Sequence, residues 1–371
     1  MENAFSEDQN QFRESVNRFL QEKSQPTATR KLMETGPGYD PAVWQQMCAE
    51  LGLAGTHIPE DYGGFGFGPV ELGITAEEMG RHLYTGPFFA SAVMATYALL
   101  HLADETAKTT LLPDIAAGQT IATLVLDSLN APEQVGRVIR ASQGNLDGTA
   151  PLVVDAHVAH CLIVFAQESD HQLGLYQVTP SADDITITSV TALDPTRKLS
   201  RVSFDNTPAE RIGQVSPHGL AATWDSLCVA LAHEMIGGAQ HLLDSTIEYT
   251  KMRYQFGRPI GSFQSLKHRC ADLLMEVEWA KATAHHAARC LAAESGASDA
   301  HLPSMAKAMA ADTYMKAAKE AIQMRGGIGF TWEEDTQLWY KRAKSSEVFL
   351  GSPSYHRERM ISLIEAQEVS Q

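Results

Sequence analysis

The sequence predicts an α+β protein whose chain runs from helices, through short strands, back to helices. Apolar residues recur at helical spacing over residues 1–118 and again over residues 211–371. Residues 119–210 instead form short runs rich in Val, Ile and Thr, separated by turn residues such as Asn145 and Gly148. We therefore predict three domains with these boundaries: an N-terminal helical domain, a middle antiparallel β-barrel or sandwich, and a C-terminal helical domain.

The N-terminal domain contains several separate helical segments. SEDQNQFRESVNRFLQEK begins at Ser6, which suits a helix start, and places four apolar residues on one face: Phe12, Val16, Phe19 and Leu20. A second helix is predicted over PAVWQQMCAELGLAG, ending at Gly52 or Gly55. The glycine-rich EDYGGFGFG interrupts the helices, and VELGITAEEMGRHL resumes them.

The other two domains differ in their hydrophobic period. The predicted strands of the middle domain are IATLVL, RVIRAS, LVVDA, CLIVFAQ, GLYQVT, ITITSV and RVSFD. Three long helices follow, in LCVALAHEMIGGAQHLLDSTIEYTKMRY, FQSLKHRCADLLMEVEWAKATAHHAARCLAAE and SMAKAMAADTYMKAAKEAIQMRG. The last two are amphipathic and rich in alanine, which is typical of helices packed in a bundle.

Composition excludes several classes of function. A net charge of −16 argues against nucleic acid or an anionic membrane as the main partner. The five cysteines are widely spaced and form no CxxC motif, so we predict neither a disulfide framework nor a metal site. The N-terminal segment lacks the basic start and apolar run of a secretion signal, and no apolar run could span a bilayer. We expect a cytoplasmic protein.

Four segments of this sequence resemble the acyl-CoA dehydrogenase family. They are RYQFGRPIGSFQSLKHRCADLLMEVE from Arg253, QMRGGIGFTWEEDTQLWYKRAKSSEVFLGS from Gln323, GLAGTHIPEDYGGFG from Gly52 with the later EEMGR, and LDPTRKLSRVSFD from Leu193. The resemblance implies an N-terminal helical domain, a middle antiparallel β-barrel and a C-terminal four-helix bundle. It also implies FAD, oxidation of an acyl-CoA thioester to the trans-2-enoyl form, and an electron-transfer flavoprotein as electron acceptor.

In the family, FAD lies across a subunit boundary, and the resemblance carries over the part of the site that one chain contributes to its neighbour. It implies that Arg253 binds phosphate, that Phe256 packs on the cofactor and that Gln264 contacts it. It further implies that the turn with Gln323, Gly326 and Gly327 passes close to the adenosine. Arginine suits phosphate because its planar fork donates two parallel hydrogen bonds.

The part of the site that a chain builds for itself departs from the family pattern. The flavin-contacting loop corresponds to LDSLNAPEQVGRV, Leu126 to Val138. Leu152 and Val154 stand where the family has a Trp and a Thr, and neither side chain can donate a hydrogen bond. Leu350 occupies the position of the usual glutamate base, and Leu227 and Cys228 occupy the alternative base position. The catalytic residue is therefore unknown.

Other acids and histidines remain as candidate bases. Asp225, Glu234 and Glu347 are the nearest carboxylates to those two positions, although each also has an ordinary structural explanation. Four histidines could in principle accept a proton but are more often satisfied polar residues: His233, His285, His286 and His356.

The retained and missing motifs together favour one hypothesis. We predict the less catalytic subunit of a heteromeric α2β2 acyl-CoA dehydrogenase, which completes the FAD site of a paralogous subunit. The resemblance is to the bacterial branch that acts in steroid degradation. Three alternatives remain: a homo-oligomeric dehydrogenase with a relocated base, a non-catalytic binding protein with this fold, and a different reaction on an acyl-CoA.

Overall fold

The computed structural model describes residues 5–169, 172–180, 184–293 and 299–370. Its N-terminal helices are α1 (Glu7–Lys23), α2 (Pro26–Leu32), α3 (Pro41–Leu51), α4 (Pro69–Arg81), α5 (Thr96–Leu102) and α6 (Glu105–Ala116), with a π-helix over Phe89–Ala95. The strands are β1 (Ala122–Val125), β2 (Arg140–Ser142), β3 (Asn145–Val154), β4 (Cys161–Gln167), β5 (Leu173–Val178), β6 (Ile185–Val190), β7 (Leu199–Pro208) and β8 (Glu210–Gln214). The C-terminal elements are α7 (Pro217–Met252), the short strands β9 (Tyr254–Gln255) and β10 (Arg258–Pro259), α8 (Gln264–Ala292), α9 (Leu302–Arg325), α10 (Thr336–Val348) and α11 (Pro353–Ser370).

The predicted order of helices, strands and helices is confirmed, and so is the fold class. Strands begin after α6 ends at Ala116, and helices return with α7 at Pro217. The domain boundaries at residues 118 and 210 stay a prediction. None of the helices in the described ranges combines the length and hydropathy that crossing a bilayer requires.

Local capping explains where the first helices begin and end. Ser6 and Gln9 form a reciprocal capping box at the start of α1, as the serine predicted. Asp40 caps α3, whose C-cap is Gly52 with a φ of +63°. Glycine adopts this left-handed conformation without steric cost, so Gly52 rather than Gly55 ends the helix.

The strands form one eight-stranded, mostly antiparallel sheet. The order is β6-β7-β3-β2-β4-β5-β8, and β1 also pairs with β4. The pairings of β4 with β1 and with β2 are parallel, which the prediction of an antiparallel sheet did not include. Strands β1 and β4 are buried along nearly their whole length, and such continuous apolar runs are typical of parallel strands. That signal was present in IATLVL and CLIVFAQ.

The chain divides into two compact units. The first unit comprises Met1–Thr29, Gly73–Tyr84 and Cys228–Gln371, and the second comprises Arg30–Leu72 and Thr85–Leu227. The second unit contains the sheet, whose buried core includes Val125, Leu146, Leu162, Val202 and Phe204. The first unit contains α1, most of α4 and α7, and α8 to α11.

Two glycines bring α4 and α7 into backbone contact within the first unit. A Cβ on Gly80 would lie 1.8 Å from the carbonyl oxygen of Glu234, and one on Gly237 would lie 1.8 Å from that of Glu77. Real Cβ atoms do not approach a carbonyl so closely, so any side chain at either position would force the helices apart. The close contact sets the relative positions of the side chains that project from these two helices.

Candidate cofactor site

Three helix ends meet in the first unit, and they carry the six residues that the resemblance assigns to FAD. The hydroxyl of Tyr249, near the end of α7, lies 3.4 Å from the carbonyl oxygen of Arg325, the last residue of α9. The thiol of Cys270, near the start of α8, lies 3.8 Å from the sulfur of Met324. The residues at these ends are Arg253, Phe256, Gln264, Gln323, Gly326 and Gly327.

The segment after α7 displays an aromatic residue in a strained conformation. Strands β9 and β10 form a hairpin whose two turn residues, Phe256 and Gly257, have φ values of +53° and +76°. A turn of this kind ordinarily takes Asn-Gly, because a large side chain is unfavourable at positive φ. Phe256 is 90% exposed. Strain combined with exposure of a large apolar ring is typical of a residue that contacts a ligand or a partner.

The start of α8 lies beside a cavity and has no side-chain cap. Gln264 is the first residue of the helix, and the preceding Phe263 makes no side-chain cap. The guanidinium of Arg258 lies 4.1 Å from the centre of the Phe263 ring. A cavity of about 500 Å³ between the end of α7 and the start of α8 is lined by Ile247, Thr250, Lys251, Pro259, Gly261, Ser262, Leu266, Lys267 and Cys270. Helix N–H groups and cations together favour a phosphate.

The end of α9 is open to an approaching ligand. Gly326 has a φ of +63°, and a Cβ added at Gly326 or Gly327 would meet no atom within 4 Å among the described residues. Gln323 is exposed on the last turn of the helix. Exposed apolar side chains follow directly: Ile328, Phe330 and Trp332. The backbone at Gly326 and Gly327 is therefore accessible, and exposed apolar residues follow it in the chain.

Arg325 holds the end of α9 against α7, and sequence reasoning missed it. Its guanidinium donates to the hydroxyls of Ser245 at 3.1 Å and Thr246 at 2.9 Å, and forms an ion pair with Glu334 at 2.9 Å. Burial lowers the pKa of this guanidinium, and Glu334 partly offsets that effect. Its position before Gly-Gly in QMRGG was the available signal. We assign Arg325 the role of positioning the turn at Gly326 and Gly327.

The loop over residues 126–138 in the second unit uses its polar groups internally. The carboxylate of Asp127 accepts hydrogen bonds from the backbone N–H groups of Gly136 and Val138, both at 2.8 Å. The hydroxyl of Ser128 donates to Gln134 at 2.9 Å. Groups engaged in closing the loop are not available to a flavin without breaking those bonds.

The strand positions that correspond to flavin contacts carry no polar side chain. Leu152 and Val154 lie on β3, where the register with β7 shifts between Ala150 and Val153. Val154 is buried, and its carbonyl accepts a hydrogen bond from the hydroxyl of Thr123 at 2.6 Å. The side chains of Leu152 and Val154 therefore offer no hydrogen bond to an isoalloxazine ring.

Leu350, at the position of the usual base, is a core residue with an anchored backbone. It is 0% exposed and has a φ of +59°. Nε2 of His356 lies 2.8 Å from its carbonyl oxygen, and Nζ of Lys307 donates to the carbonyl of Gly351 at 3.0 Å. Burial lowers the pKa of His356 to about 3, with Lys307 contributing. These two side chains hold the loop in place, and sequence reasoning gave them no such role.

The other candidate bases have structural partners. Glu234 is buried and forms an ion pair with Arg342 at 3.2 Å. Glu347 pairs with Lys344 one turn earlier on α10. Asp225 is half-buried on α7, beside the buried Leu227 and Cys228. Glu234 and Glu347 are therefore both engaged in ion pairs.

Known proteins with similar sequences and folds include acyl-CoA dehydrogenases. Family models described as the acyl-CoA dehydrogenase N-terminal and C-terminal domains match residues 6–119 and 227–363. Acyl-CoA dehydrogenase IpdE2 of Mycolicibacterium smegmatis is 33% identical over 355 residues, covering 96% of this chain and 98% of the relative. A structure of the Tcur3481-Tcur3483 steroid ACAD, in a variant form, is 26% identical with a TM-score of 0.87, covering 98% and 99% of the two chains.

The fold is also that of a chain in the ChsE4-ChsE5 complex from Mycobacterium tuberculosis. That chain has a TM-score of 0.88 at 22% identity, and the match covers 98% of this chain and 99% of the other. Matched models over more than half of the chain, with a relative above 30% identity, define the class. The protein belongs to the acyl-CoA dehydrogenase family of oxidoreductases, whose members are flavoproteins.

Proposed function

We propose that this chain is the less catalytic subunit of a heteromeric acyl-CoA dehydrogenase and completes the FAD site of a paralogous subunit. The observation that carries the proposal is the contrast within the chain. The three helix ends present exposed groups suited to phosphate and adenosine, while the chain's own flavin loop is closed and its own base position is Leu350. A chain built in this way contributes to a neighbouring site and builds no complete site of its own.

Each residue of the proposed half-site has a definite task. Arg253 neutralises the pyrophosphate. Gln264, the first residue of α8, contacts the cofactor at the helix N-terminus. Phe256 covers the cofactor from solvent, and Gln323 lies on the helix turn that precedes Gly326 and Gly327. Bound FAD supplies the hydride acceptor for oxidation of the acyl chain. The paralogue supplies the flavin loop and the base.

The exposed apolar residues of the two loops support an interface with another chain. Tyr254 lies on β9 and Phe256 lies in the turn that follows it, and Phe330 and Trp332 belong to the segment after α9. Phe330 is 88% exposed. Large exposed aromatics in neighbouring loops mark protein–protein contacts, because they bury much apolar area when a partner covers them. The paralogous subunit is the partner that the proposal requires.

The substrate class follows by analogy with two relatives. One matched structure is described as a steroid ACAD, and another is described as a complex of two named chains. We infer a CoA thioester with a bulky, steroid-derived acyl group, oxidised in an α2β2 heterotetramer in the cytoplasm. An electron-transfer flavoprotein is the inferred electron acceptor.

The first experiment compares two visible absorption spectra. One is of the chain purified alone, and the other is of the chain co-expressed and co-purified with the paralogous subunit. We expect a folded protein without flavin when it is alone, and a yellow complex with one FAD per heterodimer. Nearly one flavin per chain in the protein alone would refute the proposal and favour a homo-oligomeric enzyme. A stable complex without flavin would instead favour a non-catalytic binding protein.

A matched pair of variants localises the flavin contact in that complex. Arg253→Ala in this chain should release FAD from the complex, whereas Arg201→Ala, an exposed arginine on β7, should not. Retention of full flavin content by Arg253→Ala would show that the phosphate is held elsewhere.

A further inference from the structure

Three side chains from three helices of the first unit converge on one point away from the cofactor site. Glu77 projects from α4, His233 from α7 and His285 from α8. Nε2 of His285 lies 3.0 Å from Oε2 of Glu77, and Nδ1 of His233 lies 4.0 Å from the same oxygen. One potential ligand atom from each residue lies within 4.8 Å of the other two.

The imidazole of His233 is oriented with its lone pair toward this point. Its Nε2 lies 3.2 Å from the carbonyl oxygen of Ala284, which can only accept, so Nε2 carries the proton. In a neutral imidazole protonated at Nε2, Nδ1 carries the lone pair. Nδ1 has no hydrogen-bond partner among the described residues, and His233 is 1% exposed. An unsatisfied buried acceptor is costly unless another group occupies the point it faces.

Helix packing leaves little freedom in this arrangement. A Cβ on Gly73 would lie 2.7 Å from the ring of His233, so this glycine makes room for the imidazole. The Gly80 and Gly237 contacts described above set the spacing between α4 and α7. The ring of Phe5 lies 4.8 Å from that of His285 and covers it on the α1 side. The three donors are therefore held before any ligand arrives.

Glu77 lies at a cavity whose lining carries charges of both signs. Glu77 and Glu78 both face Arg13, which lies 3.1 Å from Oε2 of Glu77 and 3.8 Å from Oε1 of Glu78. Arg13 and Glu77 also line a cavity of about 660 Å³, which provides a path for an ion. Arg13 can pair with Glu78 when a metal occupies Glu77.

We propose that Glu77, His233 and His285 bind a divalent transition-metal ion, with zinc as the ion that this ligand set favours. Two imidazoles and one carboxylate form a known zinc ligand set that leaves a fourth position for water. Ligand atoms around tetrahedral zinc are about 3.3 Å apart at bond lengths of about 2.0–2.1 Å, so an ion would draw His233 closer to Glu77 than the present 4.0 Å. The hydrogen bond from His233 to Ala284 orients the ligand from outside. The ion would join α4, α7 and α8.

Zinc affinity of the purified protein, or of its complex where one forms, tests this site. Chelator-treated protein is titrated with zinc against a chromophoric chelator. We expect one zinc per chain, with affinity reduced at least about tenfold in both Glu77→Gln and His285→Gln. The matched control is His286→Gln, which changes the next histidine on α8. His286 is exposed, and its Nε2 lies 3.8 Å from the thiol of Cys290.

Three results would overturn the assignment: no stoichiometric zinc, unchanged affinity in both cluster variants, or loss of binding in His286→Gln. The last would assign the zinc to His286 and Cys290. If the cluster variants do not fold, X-ray absorption of the zinc-loaded wild-type protein decides instead. A shell of nitrogen and oxygen with two imidazoles supports the site, and a sulfur ligand refutes it.

Discussion

The loops that follow α7 and α9 differ from the loop over residues 126–138 in where their functional groups point. In the first pair, Phe256 is exposed at positive φ and Gly326 leaves its backbone open. In the second, Asp127 and Ser128 bond back to their own loop. Exposed and strained groups cost stability unless a ligand or partner uses them, whereas a closed loop is complete by itself. This difference is the one that the proposed role in a neighbour's site requires.

The largest expected effect concerns the ion pair between Arg342 and Glu234, one of the candidate bases. Arg342→Leu leaves the Glu234 carboxylate buried without its cation, so stability should fall by about 3–5 kcal/mol. Urea unfolding measures this. Turnover of the folded complex should persist in Glu234→Gln, because the carboxylate is engaged in the ion pair. A Glu234→Gln complex with normal Tm and no turnover would identify Glu234 as a base. It would contradict the view that this chain builds no complete site of its own.

Leu350 should matter for stability and not for chemistry. Leu350→Ala removes a fully buried side chain, which should cost about 2–5 kcal/mol of unfolding free energy. Turnover per folded complex should not change. Leu338→Ala, also fully buried, is the matched control and should show a similar loss. Reduced turnover in the first variant alone would place Leu350 at a substrate.

Loss of a charged phosphate contact should weaken flavin binding in the complex. Arg253→Ala removes a charge-assisted hydrogen bond worth about 1.5–3 kcal/mol, so FAD affinity should fall about tenfold to a hundredfold. Flavin release measured against protein concentration checks this. The same loss in Arg201→Ala would point to a general charge effect. It would then not localise the phosphate contact to the segment after α7.

Two tight β-hairpin turns provide a matched test of strain. Gln143 and Gly144 join β2 and β3 with φ values of +51° and +82°, similar to those of Phe256 and Gly257. Asparagine tolerates this conformation better than either native residue, so Gln143→Asn and Phe256→Asn should each keep or raise Tm. Only Phe256→Asn should weaken assembly with the paralogue, measured by analytical ultracentrifugation. Equal assembly in both variants would show that the exposed ring has no partner.

The smallest expected effect is a pH dependence of stability. Burial lowers the folded-state pKa of His356 to about 3, below the ordinary value of about 6.5. The unfolded chain therefore binds more protons between these values, and stability falls as pH drops below about 6.5, by at most about 1.4 kcal/mol per pH unit for this residue.

Urea unfolding at pH 7 and pH 5 measures that slope. His356→Gln should reduce it, whereas His268→Gln, at an exposed position on α8, should not. A slope that is unchanged in His356→Gln would mean that other buried groups carry the acid sensitivity. His57 and His241 are the next candidates, because burial lowers the pKa of each to about 3.

Much of the fold was predictable because local patterns decide it. The capping serine and the helical spacing located α1, and Val-, Ile- and Thr-rich runs located the strands. The parallel pairing of β1 with β4 was missed, because a strand's period does not reveal the direction of its neighbour. The candidate cofactor residues came from the family resemblance, and their shared location at three helix ends came from packing.

The candidate metal cluster could not be predicted from the sequence. The expectation of no metal rested on cysteine spacing, and no local motif joins Glu77 to His233 and His285. Only the packing of α4, α7 and α8 brings them together, through the contacts at Gly73, Gly80 and Gly237. The same holds for Arg325, Lys307 and His356, whose partners are backbone or side-chain groups of other segments.

The sequence by itself determined the order of elements, the motifs at Arg253 and Gln323 and the absence of a carboxylate at Leu350. Those properties depend on residue identity and on spacing along one segment. Only the tertiary structure decided that the 126–138 loop closes on itself, that Glu234 is held in an ion pair and that Phe256 stays exposed. These depend on which distant groups come within hydrogen-bonding distance, and helix packing sets that distance.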